Sequence, residues 1–300
     1  MAAIVIVHGV GNQYLGKHTL HSSVAPALLD GVRLADGPPL KPDDVEVAFY
    51  GHWFRPPGTT SAKGEPAYAH RDVTDPFETE LLLGLWREAN RLEPDRVPAP
   101  DLTGTADTGT ARSKAAVPYS VQRALYALSR SSFLAGVADR FLIGVLKQVH
   151  RYLTDDLVRE GVQREIADCV TPETRVLVGH SLGSVIAYEA LCAHPEWPVT
   201  TLVTIGSPLG IPNLVFDRLR PAPQAGRGAW PGGLRRWNNL CDRRDVVALA
   251  KRLAPLFPDP TRTVDDVLVD NGWRAHALEH HLTAAETGAA IAEGLAGGAR

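Results

Sequence analysis

Short apolar runs, alternating with stretches whose apolar residues recur at helical spacing, constrain this chain more than any other feature. Ile4–Val7, Val45–Tyr50, Arg175–Val178, Val199–Ile205 and Val264–Val269 each have the length of a strand and are too short for a core helix. A further strand is expected within Leu234–Leu240, where the chain leaves a Gly/Pro-rich loop and returns to the sheet. Strands that are apolar along their whole length must be covered on both faces, which is the pattern of a parallel sheet built from strand–helix–strand units. Thr154–Cys169 and Leu182–His194 carry the 3.6-residue spacing of the covering helices. The sequence therefore predicts an α/β fold, a mostly parallel sheet flanked by helices, in one domain over residues 1–300.

Two stretches interrupt the alternation. Arg55–Arg71 and Glu93–Pro118 are rich in Pro, Gly, Ala and Thr and read as mobile loops. They bracket a helix near Phe77–Leu92 and precede a longer one near Tyr119–Leu153. Residues from about 52 to 150 thus read as a mainly helical insertion, either a lid or ordinary surface packing. A second loop, Pro221–Gly233, has Arg218, Arg220, Arg227, Arg235 and Arg236 around it. It reads as a solvated loop, with a basic face for an acidic substrate as the alternative.

Composition excludes several classes. With 31 Lys and Arg against 34 Asp and Glu, the net charge of −3 argues against a nucleic-acid partner. No apolar run approaches the roughly 18–20 residues of a membrane-spanning helix, so no transmembrane segment is expected. Met1-Ala2-Ala3 runs straight into Ile4–Val7 with no basic stretch, which reads as a first strand rather than a secretion signal. Cys169, Cys192 and Cys241 are too few for a disulfide framework and read as small buried hydrophobes of a reducing compartment. The expectation is a cytoplasmic protein; its oligomeric state is not legible.

Chemistry enters at Gly179-His180-Ser181-Leu182-Gly183, a GxSxG pattern. The pattern alone is weak, but Val176-Leu177-Val178 runs directly into it and a helical run leaves it. A serine on a strand-to-helix turn needs small neighbours and sits at a helix N-terminus, whose dipole favours developing negative charge. Serine is a poor nucleophile near neutral pH, so it requires a base, and the base an orienting carboxylate. Asp245 lies in a loop after the strand expected at Leu234–Leu240, and His276 follows the last strand; both loops fall at the sheet edge that carries Ser181. An oxyanion hole would take one N–H from Leu182 and one from Val10, in the His8-Gly9-Val10-Gly11 turn after the first strand.

The HGVG turn, GHSLG, the Asp242-Arg243-Arg244-Asp245-Val246-Val247 loop and a late His before the final helix together resemble the α/β-hydrolase superfamily. Within it the chain is most similar to lipase-like serine esterases of the class 3 lipase type. The resemblance covers about residues 1–50 and 150–295 and says little of the insertion. It implies an ester hydrolase working through an acyl-enzyme on a small-molecule or lipid-like acyl substrate, with no cofactor and no metal. Thioester hydrolysis or acyl transfer would use the same residues. The family's D-x-V acid points to Asp245 ahead of Asp242. The family's His, followed five residues on by an aromatic and Leu, points to His276 ahead of His280, with His281 standing in the aromatic's place. Thr283 and Glu286 form the pattern of a capping box for a last helix through Gly294. Two readings from other classes remain. One is a non-catalytic binding module that kept the hydrolase core. The other is a zinc peptidase using His276-Ala277-Leu278-Glu279-His280, an H-x-x-E-H string that needs both imidazoles on one helix face.

Overall fold

The computed structural model describes residues 2–56, 58, 66–100, 116–134 and 137–297. Six strands form one sheet: β1 (Ile4–Val7), β2 (Val45–Ala48), β3 (Val176–His180), β4 (Thr201–Ile205), β5 (Arg236–Asp242) and β6 (Val264–Val269). Their order is β2-β1-β3-β4-β5-β6 and every pair is parallel. The strand order reverses between β1 and β3. In open parallel sheets the crevice at such a switch point, beyond the carboxyl ends of the strands, is where ligands bind.

The apolar strands are buried because helices cover both faces. Ile4, Ile6, Val176, Val178, Val203 and Ile205 face one layer, which contains α1 (Lys17–Leu34), α7 (Leu278–Thr283) and α8 (Ala285–Ala296). The alternate residues Val5, Val7, Leu177 and Leu202 face the other. That layer holds α2 (Pro76–Leu92), α3 (Ala116–Ser129), α4 (Asp139–Thr154), α5 (Asp156–Ala167) and α6 (Leu182–Ala193). The helices of the 52–150 stretch therefore share one apolar cluster with the sheet, and Leu82, Leu125, Ile143 and Leu146 are buried in it.

Several boundaries differ from the sequence reading. The strand expected over Val45–Tyr50 ends at Ala48, and Gly51–Phe54 turns in a short 3-10 helix. The one at Arg175–Val178 starts a residue later and runs on to His180, the Val199–Ile205 strand begins at Thr201, and the Leu234–Leu240 strand is displaced to Arg236–Asp242. The long helix expected over Tyr119–Leu153 is two helices, α3 and α4. Between them Ser131 Oγ and the Ser132 amide donate to Glu93 Oε2 (2.7 and 2.9 Å), so the serines bond a neighbouring carboxylate instead of continuing the helix. The capping box is absent: Thr283 Oγ1 donates back to Glu279 O at 2.7 Å, and the cap of α8 is Ala284, with no side-chain bond. Helix α1 was not anticipated, although Leu20, Val24 and Leu28 are buried at four-residue spacing.

Around Pro221–Gly233, Arg227 and Arg235 are exposed. Of the other three arginines, Arg220 and Arg236 pair with Asp156 and Glu293, and Arg218 donates to the carbonyls of Asn213 and Leu214. Much of Arg55–Arg71 and of Glu93–Pro118, read as mobile loops, lies outside the described residues. All three cysteines are free, and burial pushes their thiols up to about 11 for Cys169 and about 12 for Cys192 and Cys241. Among the described residues no helix is long and apolar enough to cross a membrane.

Candidate active site

Ser181 occupies the single-residue turn between β3 and α6, with φ 52° and ψ −127°. A non-glycine residue in that region costs of order 1–3 kcal/mol and persists only where its surroundings over-determine it. Here they do. The Ser181 amide donates to Ile205 O at 2.9 Å, tying the turn to β4. Its carbonyl accepts from Ser184 Oγ at 2.6 Å, and Ser184 Oγ pairs with Ser207 Oγ at 2.7 Å. Gly183 lets the first turn of α6 press onto β1: a Cβ there would lie 2.1 Å from Val7 O and 2.4 Å from His8 O. The serine turn and the HGVG turn are thus brought together at the β1/β3 switch point.

The HGVG turn has a fixed orientation. Gly9 O accepts from His8 Nδ1–H at 2.6 Å and from Asn12 Nδ2 at 3.1 Å. The Tyr50 amide donates to His8 Nε2 at 3.3 Å, which leaves the ring proton on Nδ1. Burial lowers His8 to about 4, so it is neutral. A trans peptide points its N–H opposite its carbonyl, so two donors at Gly9 O set the direction of the Val10 N–H. Among the described residues neither the Val10 nor the Leu182 amide donates a hydrogen bond. Leu182 is the first residue of α6, where amides have no intrahelical partner. From the other side Gln148 of α4 accepts from the Gly11 amide at 3.2 Å.

Asp245 and His276 meet across the loops after β5 and β6. His276 Nδ1–H donates to Asp245 Oδ2 at 2.7 Å, and Asp245 Oδ1 accepts from the Val247 amide at 2.8 Å. Burial opposes charge on Asp245. The imidazole, its hydrogen bond and the Val247 amide overcome that and hold the carboxyl below the ordinary aspartate value. An ionised carboxylate is only an acceptor, so the His276 proton sits on Nδ1 and Nε2 presents a lone pair. Gly206, at φ 54°, lets β4 pass beneath the pair: a Cβ there would be 2.8 Å from both Asp245 Oδ2 and His276 Nδ1. Ile205, one residue before, is the acceptor for the Ser181 amide, and the His180 and His276 rings lie 4.7 Å apart. Among the described residues no hydrogen bond joins Ser181 Oγ to His276. Such bonds are commonly long until substrate is bound.

The rival residues have other partners. Asp242 is buried and accepts from the amides of Arg244 and Asn271, joining the two loops without touching His276. His280 is exposed on α7. Because α7 begins at Leu278, His276 precedes it, so His276 and His280 do not share a helix face, and Glu279 accepts from Ser23 Oγ on α1. The sequence reading missed His8 and Asn12 as orienting groups and placed His281 only where the family has an aromatic. Only the fold shows that His281 Nε2–H donates to Ala275 O at 2.9 Å.

Comparison with protein-family models, with curated proteins and with solved structures returns no match to this chain.

Proposed function

We propose that this chain is a serine hydrolase of the α/β-hydrolase type, cleaving a carboxylic ester through an acyl-enzyme. The observation that carries the reading is the convergence at one sheet edge of a strained strand-to-helix serine and a carboxylate-bound imidazole with a free Nε2. Ser181 Oγ attacks the ester carbonyl carbon while His276 Nε2 takes its proton, and buried Asp245 stabilises the imidazolium. The carbonyl oxygen gains negative charge and is met by the Val10 and Leu182 amides and the N-terminus of α6. Collapse expels the alcohol, which leaves with the proton from His276. Water then repeats the cycle and releases the acid, regenerating Ser181. Every proton moves between Oγ, Nε2, alcohol and water, so the scheme is complete without a cofactor. The substrate of this reading is a small or lipid-like acyl ester; a thioester would follow the same steps.

Hydrolysis of p-nitrophenyl esters from acetate to long acyl chains, by wild type and by Ser181→Ala, tests this. Wild type should turn over, with an optimum that sizes the acyl site, and the variant should lose about 10⁴-fold or more in kcat. Equal rates in the two proteins would reject Ser181 as the nucleophile. Residual activity in Ser181→Ala that chelators abolish would reject the serine mechanism.

A further inference from the structure

Two histidines, His281 buried and His180 half-buried, stand beside the acid–base pair with no part in the proton transfers above. His180 ends β3 next to the serine, and its Nε2–H donates to His276 O at 2.9 Å. His281 lies on α7, and its Nε2–H donates to Ala275 O at 2.9 Å. Consecutive carbonyls of the segment that carries the base are thus each held by an imidazole, one carried by β3 and one by α7. We propose that His180 and His281 form a clamp that positions His276, making them positioning residues for the reaction.

Three observations support the clamp. His276 sits in a connection between a 3-10 turn, Gly272–Arg274, and α7, so no helix or strand ladder fixes its own backbone. Its side chain is 30% exposed, and its ring is held from below by a single bond, to Asp245. The carbonyls are where the remaining freedom could be removed. Both clamp rings are neutral, since burial lowers His180 well below, and His281 below, the ordinary histidine value. Neutrality matters because His276 becomes a cation during turnover, and a charged ring 4.7 Å away would oppose it. Finally, the single ring proton of each imidazole is committed to the carbonyl. His281 Nδ1 is buried without a partner, a cost that a purely apolar ring would have avoided. His180 also sits against the HGVG turn: a Cβ on Gly9 would lie 2.8 Å from His180 Nδ1 and 3.0 Å from the Ser181 Cβ. One ring therefore touches the base segment and the oxyanion turn while adjoining the nucleophile in sequence.

The consequence for turnover rests on the hydrolase reading, so the test includes a readout that does not. His180 and His281 are each replaced by Phe, which keeps a ring without a donor, and by Gln, whose amide nitrogen reaches the position of Nε2. kcat and KM are measured on p-nitrophenyl butyrate, together with the downfield proton resonance of His276 Nδ1 bonded to Asp245. Each Phe variant should lose about 10- to 100-fold in kcat with KM within about twofold, the effect of a sub-ångström to ångström misplacement of a catalytic group. Each Gln variant should stay within about threefold of wild type, and the resonance should broaden by exchange only in the Phe variants. If a Phe variant does not fold, Asn takes its place: an amide too short to reach the carbonyl should fall where Gln does not. Phe variants with wild-type kcat and a sharp resonance overturn the clamp, as do Gln variants that fall as far as Phe. A wild type that cleaves no ester, yet shows the expected pattern of resonances, overturns the hydrolase reading and upholds the clamp.

Discussion

Asp245 is buried, and its charge is supported by the His276 imidazole and by the Val247 and Ala248 amides, at 2.8 and 3.4 Å from Oδ1. That division of labour separates it from Asp242 three residues earlier, which is as deeply buried but spends both oxygens on backbone amides. Asp245→Asn removes the charge that holds the proton on His276 Nδ1. It should lower kcat by about 10³- to 10⁴-fold with KM little changed and the fold intact. Asp242→Asn should do the reverse, costing about 1–3 kcal/mol in denaturant unfolding because it unties two loops, while kcat stays within about tenfold. Steady-state kinetics and urea titration of the two variants side by side check the assignment. The opposite pattern would make Asp242 the functional acid.

At the scale of elements, loops carry the chemistry and the sheet edge sets their spacing. Gly206 shows how tight that spacing is. Gly206→Ala would press a methyl against Asp245 and His276, and should cost about 100-fold in kcat. Gly226→Ala, also at positive φ (73°) but with nothing within 4 Å, should cost about 1 kcal/mol of stability and leave kcat unchanged. Equal kinetic losses in both would show that backbone strain, rather than crowding of the pair, is responsible. This tightness also explains what was legible in the sequence. Strand β1 could be read to the residue because full burial writes itself as an apolar run, and β6, an edge strand buried only at Val264 and Val269, and helix α2 could be read nearly as closely. Ser181 could be read because its strained turn demands glycines beside it. The break between α3 and α4 could not, since apolar spacing continues across it and Glu93, which captures the serines, lies almost forty residues away. The roles of Asn12 and His281 were invisible for the same reason, being made only by contacts that the fold creates.

Across the whole molecule the buried histidines should govern stability against acid. His8, His180 and His281 are all lowered by burial, His8 to about 4, whereas unfolding returns each to about 6.5. Between those values the unfolded chain binds protons that the folded chain does not, so stability must rise with pH across the window. His8 alone contributes about 3 kcal/mol to that difference. Asp245 adds to it at lower pH: its lowered carboxyl stabilises the fold above the ordinary aspartate value, a contribution lost as pH falls through the folded value. The urea midpoint should therefore drop steadily from pH 7 to pH 4, and a flat midpoint over that range would contradict the burial of neutral imidazoles. The most direct test of the central claim is covalent: reaction with a fluorophosphonate, read by intact mass and peptide mapping. The account predicts one adduct, on Ser181, absent from Ser181→Ala and strongly slowed in His276→Ala. No adduct, or an adduct elsewhere that survives Ser181→Ala, would contradict it.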